Sequence, residues 1–319
     1  MLNYHFPVLK KEVLNYWLGP KTLKKEKIIL IDATCGEGGH SLAILEKAKK
    51  EKWLKKLTLL CFDADKEIIK RAKKRLIKFQ KNIIFVNANF NNLDKKLKKL
   101  KVFKIDGILL DLGVSMYHYK FSTRGFSLMN NEPLDMRLDK KQKLTAAEII
   151  NYFSELELTN IFKFFGEEKW SKKIAQKIIS EREIKKIESS QELADIISKA
   201  IPVKFHPKHI HPATRIFQAL RIVVNKELDN LQKLLEMVPE IINPNGRILV
   251  ISFHSLEDRL VKNYFKKLVT DKTDQIYGQV IEPAPYVLIT KKPVIADVKE
   301  LSENVASRSA KLRIIEKNN

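Results

Sequence analysis

The chain has 319 residues, enough for one large domain or two smaller ones, and 44% are hydrophobic, which allows a sizeable core and argues against wholesale disorder. Lys and Arg number 60 against 38 Asp and Glu, a formal net charge of +22; this suits a polyanionic partner, nucleic acid first, or else many lysines on solvated helix faces. No stretch approaches the length needed to span a bilayer, and the only cysteines, Cys35 and Cys61, end or follow apolar runs, so reduced buried thiols in a soluble cytoplasmic protein are expected.

In chain order, an extended entry from Tyr4 leads into a short helix marked by Val13, Leu14, Trp17 and Leu18, which Gly19 and Pro20 end. Ile28 to Ile31 form an unbroken apolar run, the pattern of a strand buried on both faces. The chain then runs through Asp32-Ala-Thr-Cys-Gly36-Glu-Gly38-Gly39-His40 into a helix with an apolar stripe from Leu42. Glycine is expected there to let a ligand approach the backbone and to supply positive φ, while the helix start offers free N–H groups. The order differs from the G-x-G-x-x-G of dinucleotide folds and fits better a loop holding the amino-acid part of S-adenosylmethionine (SAM); a plain tight turn is the alternative.

Further strands are expected at Leu57–Phe62, Ile83–Val86 and Ile105–Asp111, with helical patterns between them, so βαβ units and a parallel sheet follow. That rhythm stops at Gly113. Met116 to Arg137 reads as a long loop, followed by amphipathic patterns at Ala146–Phe153, Leu158–Phe165, Trp170–Ile179 and Leu193–Ile201. Residues 114–211 are therefore read as a helical insertion, with 1–113 and 212–319 forming one discontinuous α/β domain. A single helix is expected from Ala213 to about Met237, then a turn at Asn243-Pro-Asn-Gly246, a fifth strand at Ile248–Phe253 and a helix at Leu256–Leu268. Tyr286–Thr290 and Leu312–Ile315 complete the pattern as a hairpin-like pair.

In such a sheet ligands sit beyond the carboxyl ends of the strands, and the unusual residues fall there: Gly36, Gly38 and Gly39 after the first strand, Asp63 after the second, Phe90 after the third, Asp111 after the fourth. Asp63 follows the glycines at roughly the ~20-residue spacing of an acid that accepts ribose hydroxyls. A helix N-cap is its alternative, and Asp65 is read as an N-cap first. Phe90 is a candidate to stack on adenine, or a core residue. Asp111 suits a cationic cofactor end or a substrate amine. Ser252, His254 and Ser255 at the end of the fifth strand suit hydrogen bonds to a substrate base, and no G-x-S-x-G elbow marks a hydrolase. Two prolines break the His206, His209, His211 segment and no acid or cysteine flanks it, so no metal site is expected.

Several stretches are long and distinctive: His5-Phe-Pro-Val-Leu; Asp32 to Ser41; Ile105 to Ser115; Arg124-Gly-Phe-Ser; Pro133-Leu-Asp-Met-Arg137; His211 to Ile222; Ile251 to Arg259; and Arg308 to Arg313. In these the chain resembles the bacterial SAM-dependent methyltransferases of MraW type, which modify the 4-amino group of a decoding-centre cytosine in 16S ribosomal RNA. The resemblance implies a class I, Rossmann-like methyltransferase sheet with an inserted all-helical domain that recognises RNA. It implies SAM as cofactor and the small ribosomal subunit as partner, and leaves a homodimer open. The family's cofactor contacts would fall on Gly38, Gly39, His40, Asp63, Phe90 and Asp111. A family glutamine after the fourth strand is replaced by His118, whose imidazole can still donate or accept one hydrogen bond. Asp111, Ser252, His254 and Ser255 are the candidates to position the amine, and Tyr117, Phe121 and Phe126 either stack the target base or pack in a core. A nicotinamide dehydrogenase would space its last glycine further along. A noncatalytic RNA-binding protein would explain the charge but not the row of strand-end acids.

Overall fold

The apolar runs become strands because each must bury two faces. The computed structural model describes residues 6–274 and 279–319, so Tyr4 and His5 lie outside it, and the chain divides into two compact units, 1–113 with 228–319, and 114–227. The first unit is built on β1 (Ile28–Asp32), β2 (Leu57–Asp63), β3 (Ile83–Asn87), β4 (Ile105–Asp111), β5 (Ile242–Ser252), β6 (Tyr286–Leu288) and β7 (Lys311–Lys317). Their order is β3-β2-β1-β4-β5-β7-β6, with β1 to β5 parallel and β7 antiparallel to both β5 and β6. This is a class I methyltransferase arrangement.

Alternate residues feed two separate cores, as the pleat requires. Ile28, Leu30, Leu59, Cys61, Leu109, Leu249 and Ile251 join one cluster, with Trp17 from the entry helix. Ile31, Leu60, Phe62, Ile108, Leu110, Ile248 and Val250 join the other. At about 25 cal/mol per Å² of apolar surface, two covered faces give this sheet its main driving force. The expected turn at Asn243–Gly246 is present as an irregularity within β5: Asn245 takes φ 60, and the register against β4 shifts between Ile105 and Gly107. β6 and β7 pair as expected for the closing strands.

The second unit contains helices Met116–Lys120, Ala146–Tyr152, Glu155–Gly166, Ser171–Ile184, Ser190–Ala200 and Thr214–Asn225. Thr145 and Ser154 open two of them with capping boxes through Glu148 and Glu157. Its core includes Ile149, Phe162, Ile174, Ile178, Leu193 and Ile197. The sequence placed the boundary after residue 211 and a continuous helix from Ala213 to Met237. Instead, Lys226 adopts φ 50 and breaks that stretch into Thr214–Asn225 and Glu227–Ile241. Ile216, Leu220 and Val224 of the first piece pack in the helical core, whereas Leu231, Leu234 and Leu235 of the second pack under the sheet. Asn225 secures the first piece, its amide donating to the Met136 carbonyl at 2.8 Å and its side-chain oxygen accepting from the Leu138 N–H at 2.8 Å.

Candidate active site at the carboxyl ends of the parallel strands

The strand order reverses between β1 and β4, and the crevice beyond the carboxyl ends at such a point is where α/β sheets bind ligands. β1 delivers Asp32, which is almost wholly buried. Ser41 Oγ donates to its Oδ2 at 2.6 Å, but its Oδ1 has no hydrogen-bond partner. Burial raises this carboxyl from 3.8 to about 6, against the opposing pull of the Ser41 hydrogen bond. Thr34 reaches across to β4, its hydroxyl accepting from the Asp111 N–H at 2.6 Å.

Gly36 and Gly38 take φ 54 and 79, and Gly38 is the left-handed N-cap of the Gly39–Lys50 helix. A Cβ on Gly38 would lie 2.8 Å from Leu76 Cδ1, and one on Gly39 would lie 3.1 Å from Pro7 Cβ. The positive φ expected in this loop is present at Gly36 and Gly38, and a side chain at Gly38 or Gly39 would also meet the protein's own packing. Glu37, between them, is buried and accepts from Arg71 Nε at 2.6 Å, pinning the loop to the Lys66–Arg75 helix.

His40 follows on the first turn of the Gly39–Lys50 helix, buried, with neither ring nitrogen hydrogen-bonded. Its Nε2 lies 3.6 Å from Asp111 Oδ2, and Asp111 Oδ1 has no hydrogen-bond partner either. Three neighbouring side chains from β1, the helix start and β4 thus hold unsatisfied polar atoms close together, where a polar ligand can satisfy them. Asp32 is the member that sequence reasoning quoted in the loop but left off the site; its place at a strand end before Thr-x-Gly was the available signal.

Asp63 ends β2 and serves the loop. Its Oδ2 accepts from the Gly36 N–H and its Oδ1 from the Asp65 N–H, both at 2.9 Å. The N-cap role goes to Asp65, which accepts from the Glu67 N–H at 2.8 Å. Phe90 begins a short turn after β3 and is half-buried against the second core cluster.

The β5 end differs from what the sequence led us to expect. The Ser252 hydroxyl is buried and directed to the Lys311 carbonyl of β7 at 3.4 Å. His254 is the N-cap of the Ser255–Leu268 helix: its Nδ1 accepts from the Glu257 N–H at 3.4 Å, and its Nε2 lies 3.2 Å from Glu257 Oε1 without a hydrogen bond. Ser255 is exposed on the first turn. Arg313 and Lys311 bind Asp258 at 2.7 and 3.3 Å. The structure brings His40 and Asp111 together, while Ser252 directs its hydroxyl to the strand pairing and His254 caps a helix through Nδ1, its Nε2 left without a hydrogen bond.

His118 belongs to the helical unit, buried in the Met116–Lys120 helix, with Nδ1 accepting from the Ser115 N–H at 3.1 Å. Of the residues read as stacking or core, Phe126 is core, whereas Phe121 is exposed and pairs with Tyr117 at 6.2 Å between ring centroids. His206 Nε2 lies 2.9 Å from the Ile201 carbonyl, and His211 Nδ1 accepts from the Ala213 N–H at 3.1 Å, so both have structural partners.

The model of the MraW methylase family matches residues 3–318. The chain belongs to that family. Among its MraW-type relatives, ribosomal RNA small subunit methyltransferase H of Sulfurihydrogenibium sp. is 45% identical over 310 residues, covering 97% of this chain and 98% of the relative. The protein of that name from Oceanobacillus iheyensis is 44% identical over 317 residues, covering 98% and 94%. Among solved structures, an rRNA methylase from Streptococcus thermophilus aligns at a TM-score of 0.40 and 9% identity, covering 97% of this MraW-family chain and 94% of that one, a likeness too weak to add weight. No helix among the described residues is long and apolar enough to cross a membrane.

Proposed function

We propose that this chain transfers a methyl group from SAM to the exocyclic 4-amino group of a cytidine in 16S rRNA of the small ribosomal subunit, in the cytoplasm. The observation that carries the reading is the trio of unsatisfied side chains, Asp32, His40 and Asp111, at the switch point of a methyltransferase sheet in an MraW-family chain. The donor set fits the cofactor. Two carboxylates with spare oxygens suit its cationic end, His40 its carboxylate, and the Asp63 carboxylate at the end of β2 its ribose hydroxyls. Phe90 offers a half-buried ring to adenine. Bound SAM supplies an electrophilic methyl group on a sulfonium.

The chain's own task is alignment. Cytosine's exocyclic nitrogen is a poor nucleophile because its lone pair is delocalised into the ring, so holding it in line contributes most of the acceleration. Asp111 can accept an N–H of the amine through Oδ1 and bias the lone pair toward the methyl. Ring-carbon methylation would need a cysteine nucleophile. Cys35 and Cys61 are buried, and the hydrogen bond with Cys61, together with burial, pushes the Cys35 thiol well above its ordinary range. The target base must leave its stack, which costs least in unpaired RNA. We assign the helical unit to RNA recognition.

The test is to treat undermethylated small subunits with enzyme and SAM, digest the RNA and identify the nucleoside by mass spectrometry. The expected product is N4-methylcytidine, formed also by a Cys35→Ala, Cys61→Ala double variant. A ring-carbon methylcytidine overturns the mechanism.

A further inference from the structure

Within the helical unit, two aromatic rings from different elements meet, Trp170 half-buried against the helical core and Phe205 exposed. Trp170 caps the Ser171–Ile184 helix, and Phe205 ends the short Val203–Phe205 turn after the Ser190–Ala200 helix. Their ring centroids lie 5.1 Å apart with planes inclined by 43°. Lys173 Nζ sits 4.9 Å from the Trp170 ring centroid and Lys204 Nζ 5.1 Å from that of Phe205. Phe205 remains 52% exposed and adjacent Val203 81% exposed, so neither owes its position to a core.

The exposed ring is held in place by the turn beneath it. The Phe205 N–H donates to the Pro202 carbonyl at 2.8 Å and the His206 N–H to the Val203 carbonyl at 3.0 Å. His206 Nε2 ties the turn to the end of the preceding helix, 2.9 Å from the Ile201 carbonyl and 3.2 Å from that of Ser198. On the other side, Trp170 donates its N–H to Glu168 Oε1 at 2.9 Å, and its carbonyl accepts from the Ile174 N–H at 3.0 Å. The rings are thus preorganised, which spares a ligand the entropy of ordering them.

The surrounding charge identifies the occupant. Lys169, Lys172, Lys173, Lys204 and Lys208 are exposed and outnumber the adjoining acids Glu167 and Glu168, of which Glu168 is buried and faces Arg215 at 3.8 Å. Protein interfaces are depleted in lysine. Aromatic rings flanked by cations instead match the platforms on which unpaired bases stack while the phosphates meet lysine. We propose that Trp170 and Phe205, with Lys173 and Lys204, form a stacking subsite for an unpaired base of a single RNA strand. This rests on the rRNA-methyltransferase reading but is measured without it, because binding and methylation are read separately.

Trp170 is itself the reporter, since Trp17 and Trp53 are only 0% and 7% exposed. A single-stranded RNA oligonucleotide of mixed sequence, titrated into the full chain, is expected to quench tryptophan emission, and Trp170→Phe to abolish the signal. Phe205→Ala is expected to weaken RNA binding about tenfold and Phe205→Tyr to restore it, with SAM affinity unchanged in both. Replacing Lys173 and Lys204 by Gln should flatten the dependence of log affinity on log salt by about 1.4. Unchanged RNA affinity in Phe205→Ala overturns the stacking subsite, as does quenching that sedimentation traces to self-association of the chain. Loss of methylated product with this binding intact would instead refute the enzymatic reading and leave the subsite standing.

Discussion

Asp32 should make the α/β unit less stable at neutral pH than it would be with a neutral side chain in its place. Its carboxyl is buried, receives a single side-chain hydrogen bond from Ser41, and has a pKa raised from 3.8 to about 6. Because the folded value lies above the unfolded one, the native state binds more protons between about pH 4 and pH 6, and stability falls as pH rises through that window. Below it both states are protonated and nothing is lost; above it the full cost stands. The rise from 3.8 to about 6, at about 1.4 kcal/mol per pH unit, amounts to ~3 kcal/mol. Asn mimics the protonated acid in shape and can still accept from Ser41. Asp32→Asn is therefore expected to raise the melting temperature by ~6–12 °C at pH 7 and to converge on the parent near pH 4. Affinity for SAM should fall at the same time, because the charge removed is the one held for the cationic cofactor. Thermal unfolding from pH 4.5 to 7.5, paired with calorimetric SAM titration, checks both. A variant less stable than the parent at pH 7, or a gain that does not change with pH, would refute the reasoning.

Asp63→Ala should weaken SAM binding and also cost ~2–4 kcal/mol in urea denaturation, since two backbone N–H groups lose a charged acceptor; an unchanged midpoint would show that water replaces it freely. Ser252→Ala should alter the methyl-transfer rate less than about twofold, because its hydroxyl makes one long bond to the Lys311 carbonyl; a loss near a hundredfold would return it to the chemistry. Joining Gly113 to Leu228 through a short linker should leave a unit that binds SAM in calorimetry but does not methylate 16S rRNA, and retained methylation would remove the helical unit from substrate recognition.

Local pattern was enough to determine the parallel strands, the order of the strand-end groups and the presence of a helical insertion. Four apolar residues at Ile28–Ile31 demand burial on both faces whatever packs there, and a helical stripe demands one covered face. Such patterns state that a face is buried but not what buries it. The stripe from Ile216 to Leu235 therefore read as one helix, and only packing showed Ile216 and Leu220 in the helical core, Leu231 and Leu234 under the sheet, and Lys226 at the break. The same limit governs polar groups, whose partners lie far away in sequence. Asp65 caps a helix as its sequence position led us to expect, but the tie from Asp63 to the Gly36 N–H joins residues 27 apart and was not legible. Ser252 points at β7 because the β5–β7 register pairs it with Lys311. Gly38 is required by Leu76 and Gly39 by Pro7, contacts that no spacing rule contains. His40 and Asp111 meet at 3.6 Å only because β1 and β4 are neighbours, so it was the strand order, a long-range property, that assembled the candidate site from residues the sequence had merely singled out.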